Sequence, residues 1–244
     1  IDIDPFGSPV YYLDAVARAI KRKGYVGITA TDTQALIGSN SDSCFRKYGI
    51  FAFKTDMGHE VGIRNLLASI ALNFSRYMFS FKPLISFQKN HYYRIFGYLE
   101  KGRKKANKCL KENIGIINYC KNCLNRKFEE SIVRFCDDCG RDFSYIFPTW
   151  IGETFDKEFL KKTYKNLDKF SYFKNFKEIK KLIEILKSEI NAPVYNLHSL
   201  ASRFKVNIPK REFIIKKLGA SPVHHSPISI KVNKKVSSII KDIS

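Results

Sequence analysis

The N-terminal stretch carries an ordered strand, helix and strand pattern that restricts the fold more than any other feature of the sequence. Ile and Asp alternate in residues 1–3 as in a short strand, and Pro5 and Gly7 then break the pattern. Apolar residues at helical spacing predict a helix over residues 11–23, and an apolar run predicts a buried strand over residues 25–31. A helix between two strands usually joins parallel neighbours, so the stretch predicts a parallel pair and an α/β fold.

Polar residues follow both predicted strands, at what becomes one edge of the sheet. Asp4, Pro5 and Phe6 come after the first strand, and residues 31–33 come after the second. Ligands of open α/β sheets bind at the carboxyl ends of the strands. The Asp4 carboxylate and the Pro5 carbonyl can accept hydrogen bonds from an amine, and the Phe6 ring can stack on a planar base. The alternative is an ordinary turn at the end of a strand, because Asp-Pro is a common turn sequence.

The charge balance points to a polyanionic partner. The chain has 43 Lys and Arg residues against 23 Asp and Glu residues, which gives a formal net charge of +20. Its 20 Phe and 13 Tyr residues favour nucleic acid over an anionic membrane, because aromatic rings can stack on bases. The alternative is a lysine-rich surface without such a partner. No apolar run reaches the roughly 18 residues of a membrane helix, and no secretory signal is visible. We therefore expect no membrane partner and a cytoplasmic location.

A polar segment over residues 36–56 follows the second strand. It is rich in Gly, Ser, Asn and Asp, and this composition predicts a loop. The segment contains Arg46 and Lys47, and a loop above the carboxyl edge of the sheet is a natural place to hold a substrate. The alternative is a solvated surface loop with two basic residues.

The next part of the chain alternates between a helix and two strands. A helix is predicted to begin at His59 and to reach residue 74. His59 can act as a general base or, alternatively, as a helix cap or a hydrogen-bonding core residue. Strands are predicted over residues 83–87 and 91–99. The basic run over residues 101–108 predicts either a solvated linker or an arm that contacts phosphates.

Two Cys-x₂-Cys pairs predict a metal centre. Cys120 and Cys123 are separated from Cys136 and Cys139 by twelve residues, and this spacing can place four thiolates around one tetrahedral zinc ion. Four thiolates leave no open coordination position, so the predicted zinc is structural. Disulfides are the alternative, but no secretory signal supports them.

Helical patterns dominate beyond residue 156. They predict helices over residues 176–190, 197–204 and 210–218, followed by an extended segment over residues 223–232. Three helices and an extended segment resemble a winged helix-turn-helix, a small architecture that often binds nucleic acid. A helical domain that serves packing alone is the alternative.

Several sequence blocks, taken in order, resemble the tRNA guanine-26 N2-dimethyltransferase family. The match spans nearly the whole chain, and the ordered set is specific although no single block is. Besides the cysteine quartet, the blocks are residues 2–8 (DIDPFGS), 29–33 (TATDT), 44–49 (CFRKYG), 59–64 (HEVGIR), 91–94 (HYYR), 150–152 (WIG) and 221–231 (SPVHHSPISIK).

The resemblance implies a class I (Rossmann-like) methyltransferase fold that transfers methyl groups from S-adenosylmethionine to the N2 amine of guanosine 26 in tRNA. Asp4 and the Pro5 carbonyl would accept hydrogen bonds from that amine, and Phe6 would stack on the flipped base. The four cysteines match the family's zinc-binding pattern. Basic residues within the matching blocks are the candidate RNA contacts: Arg46, Lys47, His59, Arg64 and Arg94.

The chain departs from the family on its N-terminal side, because it begins at what would be the fourth strand of the methyltransferase sheet. The Gly-rich cofactor loop and the acidic residues that would hold the ribose and the adenine are absent, so no cofactor-binding residue is assigned. We therefore expect the second half of the sheet here, and most of the cofactor site on an N-terminal half polypeptide of a split or truncated enzyme. The alternative is a non-catalytic tRNA-binding zinc protein derived from the same family.

Together these patterns predict three units. Residues 1–102 form the C-terminal half of a methyltransferase domain, and residues 103–160 form a four-cysteine zinc module with its return strand. Residues 161–244 form a small α+β, winged-helix-like domain that binds tRNA.

Overall fold

The N-terminal part of the chain forms a mixed sheet. The structure is a computed structural model that describes residues 1–243. The strands of the sheet follow the order β1-β2-β4-β3. They are β1 (Asp2–Ile3), β2 (Lys23–Ala30), β3 (Phe79–Lys89) and β4 (Tyr92–Lys101). The α/β prediction is confirmed, and the two strands predicted before and after the turn at residues 90–91 are both present and longer than expected.

The parallel pair predicted at the N-terminus is confirmed. β1 runs parallel to β2, with Ile3 opposite Ile28, and β4 runs antiparallel to both β2 and β3. The crossover helix α1 (Val10–Ala19) is shorter than predicted. It ends at Ala19 because Lys23 and the glycine after it already pair with β4, so the sheet takes the backbone that the sequence pattern assigned to the helix.

A long buried helix, α4 (Gly58–Ser75), fills the centre of the molecule and confirms the helix predicted from His59 onward. It is buried along almost its whole length, so its polar residues Glu60, Arg64 and Asn65 are buried together with its apolar ones. Leu66, Leu67 and Phe74 are fully buried on it. Burial of each such side chain contributes about 1.5–3 kcal/mol, and α4 shares the apolar core with the strands of the first sheet.

Two polar segments predicted as loop or linker contain helices. Residues 36–56 contain α3 (Ser41–Tyr48), which follows the short α2 (Thr33–Leu36). The Asn40 side chain accepts a hydrogen bond from the Ser43 backbone N–H at 3.0 Å, and Gly49 ends the helix with a φ of +70°. Asn40 and Gly49 therefore cap α3, and the rest of the segment between α2 and α4 is irregular, as predicted.

The basic run after β4 is likewise not a linker. It forms α5 (Arg103–Asn113), whose Ala106 is buried while its lysines face solvent. Cys109 and Leu110 are half-buried and pack against the core that contains the first sheet. The helix thus covers apolar surface and leaves its charge exposed.

A second sheet follows, in the antiparallel order β6-β5-β7. Its strands are β5 (Ile114–Tyr119), β6 (Arg126–Glu129) and β7 (Ser144–Trp150). Trp150 is buried, and Ile117 and Ile146 join it in the same apolar core as the first sheet. The two cysteine pairs lie in the turns that connect these strands.

The C-terminal region begins with a helical hairpin and continues into a small sheet. The hairpin is formed by α6 (Lys157–Leu167), a 3-10 turn (Asp168–Phe170) and α7 (Phe176–Ser188). The remaining elements are β8 (Val194–Asn196), α8 (Leu197–Phe204), α9 (Arg211–Leu218), β9 (Ser221–Val223), β10 (Ser226–Lys231) and α10 (Val236–Ile243). The three predicted helices are confirmed, and the three short strands make a sheet in the antiparallel order β8-β10-β9. The winged-helix architecture and the boundaries of the three units stay predictions.

None of the helices within residues 1–243 is both long enough and apolar enough to cross a bilayer.

Four buried charges join α4 to the C-terminal region, and we refer to Glu60, Arg64, Glu189 and Lys231 as the buried charge cluster. Glu60 accepts from Arg64 Nε at 2.8 Å and lies 3.2 Å from Lys231 Nζ. Lys231 Nζ also donates to Glu189 Oε2 at 2.8 Å. Burial raises the pKa of the Glu60 carboxyl, but the two cations outweigh it and hold that pKa well below its usual value. Two acids and two bases therefore neutralise each other out of water.

Two histidines extend the buried charge cluster. His224 Nδ1 lies 2.7 Å from Glu189 Oε1, and the Gln88 backbone N–H donates to His224 Nε2 at 3.2 Å. Nε2 therefore carries the lone pair, and the proton is on Nδ1. His225 Nε2 lies 3.3 Å from Glu60 Oε2. The pair fixes β9 and β10 against both α4 and the end of β3.

A second buried ion pair ties β6 to the start of α4. Arg126 is almost fully buried, and its Nη1 lies 2.9 Å from Asp56 Oδ1. The guanidinium sits between the rings of Tyr119 and Tyr195, and Nη1 also donates to the Val194 carbonyl at 2.9 Å. The residue connects the second sheet with the C-terminal sheet.

Replacement of Lys231 by Met should lower the free energy of unfolding by about 3–5 kcal/mol, because it leaves the Glu60 and Glu189 carboxylates with a single buried cation. The control is Lys234→Met. Lys234 pairs with Asp242 at 3.0 Å near the surface, and an exposed pair contributes less than about 1 kcal/mol. Urea unfolding of the three proteins measures the difference, and equal losses for the two variants would contradict the role of the cluster.

Acid should destabilise the fold through His225. Burial lowers its pKa from 6.5 to about 4, although Glu60 acts in the opposite direction. The unfolded chain therefore takes up this proton first, so the stability is complete above pH 6.5 and is lost as the pH falls towards 4. His225→Gln should reduce this loss in unfolding experiments across that pH range, whereas His198→Gln, at an exposed position, should not. An unchanged pH dependence in His225→Gln would exclude this source.

Candidate functional site

The turn after β1 presents the predicted site residues at the carboxyl edge of the first sheet. Asp4 is exposed, and the Phe6 ring is fully exposed. Gly7 adopts a φ of +88°, a conformation that favours glycine, and its N–H donates to Thr31 Oγ1 at 2.6 Å. The Thr31 N–H donates back to the Gly7 carbonyl at 3.0 Å. The ends of β1 and β2 are therefore locked together, and the turn between Asp4 and Gly7 is held in place.

A second carboxylate, Asp32, ends β2 beside this turn but is fully engaged. Tyr48 donates its hydroxyl to Asp32 Oδ1 at 2.5 Å, and Lys47 Nζ lies 3.0 Å from Oδ2. Burial and the bond to Asp32 raise the pKa of Tyr48, which keeps it a neutral donor. Asp4, in contrast, has no hydrogen-bond or ionic partner among residues 1–243. Of the two carboxylates at this edge, Asp4 is the one that is free to accept hydrogen bonds from a ligand.

The helix α3 supplies further exposed groups next to the turn. Arg46 is exposed, whereas Lys47 is occupied by Asp32. Phe45 stacks on Phe51 with a centroid separation of 4.3 Å, and both rings are about half exposed. This aromatic pair was not predicted from the sequence, where its only signal is Phe45 within the matching block around Arg46.

Two other candidate RNA contacts have partners within the protein. His59 is half-buried, its Nδ1 lies 3.2 Å from the Tyr93 hydroxyl, and burial lowers its pKa. Arg94 donates to Asp2 Oδ2 at 2.6 Å and to Thr29 Oγ1 at 2.7 Å. The bond from Arg94 lowers the pKa of the Asp2 carboxyl. Arg94 therefore braces the three strands β1, β2 and β4 against each other.

The candidate RNA contact at Arg64 is wrong for this structure. Its side chain is fully buried in the buried charge cluster. Its Nη1 donates to the carbonyls of Trp150 and Gly152 at 2.9 Å and 3.2 Å, and its Nη2 donates to Asn191 Oδ1 at 2.7 Å. All of its donor groups serve the interior, so none is left for a phosphate.

The four cysteines of the predicted metal centre come together. Their Sγ atoms all lie within 4.8 Å of one another, and the Sγ atoms of Cys120 and Cys139, and those of Cys123 and Cys136, are 3.5 Å apart. Zinc–sulfur bonds of about 2.3 Å require sulfur atoms roughly 3.8 Å apart. The donor set and its dimensions therefore suit a tetrahedral zinc ion.

Both cysteine turns have the same backbone form. The residue after the second cysteine has a positive φ in each turn, 64° for Leu124 and 74° for Gly140. The side-chain amide of Asn122 donates to Cys139 Sγ at 3.5 Å, and hydrogen bonds of this kind stabilise thiolates. Burial raises the pKa of the Cys139 thiol, but backbone and amide donors outweigh it and lower the pKa to about 6.

The cysteine turns also contact the C-terminal region. Lys235 Nζ lies 2.8 Å from Asp137 Oδ2, and the Ser237 N–H donates to Asp138 Oδ2 at 2.9 Å. Arg203 donates to Asn122 Oδ1 at 2.8 Å. The second cysteine turn therefore helps to hold the start of α10.

Comparison with known proteins shows similarity over the full length of the chain. A family model described as N2,N2-dimethylguanosine tRNA methyltransferase matches residues 1–244. A protein of Metallosphaera sedula named tRNA (guanine(26)-N(2))-dimethyltransferase is 37% identical over 243 residues, which are 98% of this chain and 63% of the relative. A protein of the same name from Methanobrevibacter smithii is 35% identical over 259 residues and is matched over 66% of its length by the whole chain.

A solved structure shows the same fold. It is that of Trm1 from Pyrococcus horikoshii in complex with S-adenosyl-L-methionine, which superimposes with a TM-score of 0.88 and 29% sequence identity. The alignment covers 100% of this chain and 65% of that protein. The chain thus spans about two thirds of the length of these proteins, each of which is a single longer chain.

Proposed function

The chain belongs to the N2,N2-dimethylguanosine tRNA methyltransferase family, and we propose that it supplies the parts of a guanosine-26 N2-methyltransferase that bind the target base and the tRNA. The single observation that carries the proposal is the free Asp4 carboxylate beside the fully exposed Phe6 ring, on a turn locked to the end of β2. An exposed apolar ring next to an unpaired acceptor suits a planar base that carries an amine.

Asp4, Pro5 and Phe6 are proposed to position the guanine amine for methyl transfer. S-adenosylmethionine, when bound, supplies an electrophilic methyl group. The Asp4 carboxylate and the Pro5 carbonyl accept hydrogen bonds from the N2 amine and so fix the direction of its nitrogen lone pair. Phe6 stacks on the flipped guanine, and such stacks contribute about 1–3 kcal/mol each. The amine is itself the nucleophile, so no side chain forms a covalent bond, and Asp4 is exposed to pass the released proton to water.

The cofactor side of the site is proposed to lie in the region of the family fold that this chain does not match. No Gly-rich loop follows a strand in the sequence, so the residues present offer no complete cofactor site and we derive no cofactor contact from them. β1 pairs only with β2 within the described part of the chain. Ile1, Tyr25 and Phe96 expose apolar surface near this strand. A neighbouring strand and its helices can pair and pack there.

The expectation of a separate N-terminal half polypeptide has no support from the relatives. In each of them the matching region is part of one longer chain. We propose that the cofactor-binding region is covalently continuous with this one, as in those relatives.

The tRNA surface is proposed to include α3 and the C-terminal region, residues 161–244. Arg46 and Phe45 are exposed on α3, which is attached to Asp32 after β2 through Lys47 and Tyr48, and Phe51 stacks on Phe45. They offer a phosphate contact and a stacking surface within reach of the target nucleotide. Lys47 and Arg94 support the site indirectly, because their charges already pair with Asp32 and Asp2.

The cysteine centre is proposed to bind one structural zinc ion. The four sulfur ligands leave no coordination position for a substrate. Its contacts with α8 and α10 support a role in holding the C-terminal region in place. Zinc at this position would therefore act on tRNA binding indirectly.

Replacement of Asp4 by Ala should lower methyl transfer to tRNA about a hundredfold, because loss of one preorganised polar contact at a reacting centre typically has an effect of that size. The assay follows labelled methyl groups from S-adenosylmethionine into tRNA, with the protein carrying its cofactor-binding region. The control is Asp14→Ala, which removes an exposed carboxylate that pairs with Arg18 on the surface of α1. Unimpaired transfer by Asp4→Ala would overturn the assigned role. tRNA binding by the wild type without any transfer would favour the non-catalytic alternative.

Metal analysis should find one zinc ion per chain, and Cys120→Ser combined with Cys123→Ser should remove it. Loss of a structural metal should lower the midpoint of thermal unfolding by about 10 °C or more. Cys109→Ser is the control, because Cys109 lies outside the cluster and its sulfur donates to the Phe81 carbonyl, which a serine hydroxyl can also do. Full zinc content in the double variant would exclude the cysteine site.

A further inference from the structure

The turn between α6 and α7 exposes three aromatic rings, which we call the aromatic tip. Phe170, Tyr172 and Phe173 are 46%, 75% and 54% exposed. The rings of Tyr172 and Phe173 lie 4.7 Å apart between centroids, and those of Phe170 and Phe173 lie 6.1 Å apart. Every residue in 168–175 is exposed. Clustered apolar rings without cover on a surface mark an interaction site more often than single exposed rings do.

The aromatic tip stands in a strongly basic surrounding. Residues 161–181 include eight lysines and only two acids. Both acids are already paired, Asp168 with Lys180 at 2.9 Å and Glu178 with Lys89 at 2.8 Å. Lys174 and Lys177 have no acidic partner among residues 1–243. The charge surrounding the rings therefore favours a polyanion.

The aromatic tip lies at the same edge of the first sheet as Asp4. In the strand register Ile3, Ile28, Ile95 and Ser86 are level with one another across the sheet. Residues beyond them on β1 and β3 therefore project from one edge, and the ion pair of Lys89 at the end of β3 attaches the start of α7 there. β1 and β3 are three strand spacings apart, or about 14 Å. A single RNA molecule can span that distance.

We propose that the aromatic tip is a second tRNA contact, in which its rings stack on unpaired bases while Lys174 and Lys177 contact the neighbouring phosphates. The inference rests on the proposed function and adds a subsite to it. Stacking on rings is indifferent to base identity, so the contact reads the presence of unpaired nucleotides at a fixed distance from the target base. An anionic membrane also attracts lysines and aromatic rings, but a membrane on this edge would cover the turn that holds Asp4.

The test compares three double variants at Tyr172 and Phe173, using a tRNA transcript and the protein as it occurs, with its cofactor-binding region. Tyr172→Ala with Phe173→Ala should raise the Kd for tRNA roughly tenfold. Tyr172→Leu with Phe173→Leu keeps apolar surface but loses the rings, so it should raise the Kd to a similar extent. Tyr172→Phe with Phe173→Tyr keeps both rings and should bind like the wild type.

Two measurements separate stacking from loss of fold or charge. The thermal unfolding midpoint should not change, because both side chains are exposed. A blunt RNA duplex offers phosphates but no unpaired bases, so its Kd should be the same for the wild type and all three double variants.

Several results would overturn the inference. Wild-type affinity in the Leu pair would show an apolar contact without stacking. An unchanged Kd for tRNA in the Ala pair, together with lost self-association or lost binding to phosphatidylcholine–phosphatidylserine vesicles, would assign the rings to a second copy or to a membrane. If the wild type methylates tRNA and the Ala pair binds tRNA as tightly as the wild type, this inference alone is overturned. A wild type that does not bind tRNA would overturn the proposed function as well.

Discussion

Opposite charges buried between α4 and β10 determine how the C-terminal region sits on the sheet. Each ion placed out of water costs several kcal/mol unless its partners are in position. Glu60 faces two cations and Lys231 faces two carboxylates, so a small shift that breaks one contact leaves another charge uncompensated. Apolar packing alone tolerates sliding, whereas this arrangement selects one register. The cluster therefore contributes orientation more than net stability, and orientation is what a protein needs if two distant surfaces are to hold one rigid RNA.

The carboxyl edge of the sheet shows how the same residue type acquires two roles. Asp4 and Asp32 each end one of two neighbouring parallel strands. Asp32 is held by Tyr48 and Lys47, so its acceptor capacity is used within the fold. Asp4 follows a strand that a proline ends, on a turn fixed through Gly7 rather than through the carboxylate. Its side chain is therefore placed by the backbone and left free, which is the condition for binding a ligand without first breaking an internal contact.

Sequence patterns predicted what local chemistry determines and missed what distant contacts determine. The cysteine centre and the parallel strand pair follow from short-range rules, and the structure agrees with them. Residues 36–56 were predicted mainly as a loop, and α3 within them was missed because its caps at Asn40 and Gly49 have the composition of a loop. Arg64 was assigned to RNA because nothing in the sequence shows that its partner Glu60 is joined by a lysine 171 positions further along the chain. Buried ion pairs between remote segments leave no local signature.

The net charge and the exposed rings contribute differently to the binding of a nucleic-acid partner. A charge of +20 raises the rate and strength of association with any polyanion. This electrostatic attraction weakens as the salt concentration rises, and it does not select a position on the RNA. Rings select a position, because each needs an unpaired base within van der Waals distance. The sites near Phe6, Phe45 and Phe170 lie on separate elements that the fold holds at fixed distances. Recognition of one nucleotide within a folded RNA can therefore arise from the spacing of stacking sites, with the lysines supplying attraction that is the same everywhere.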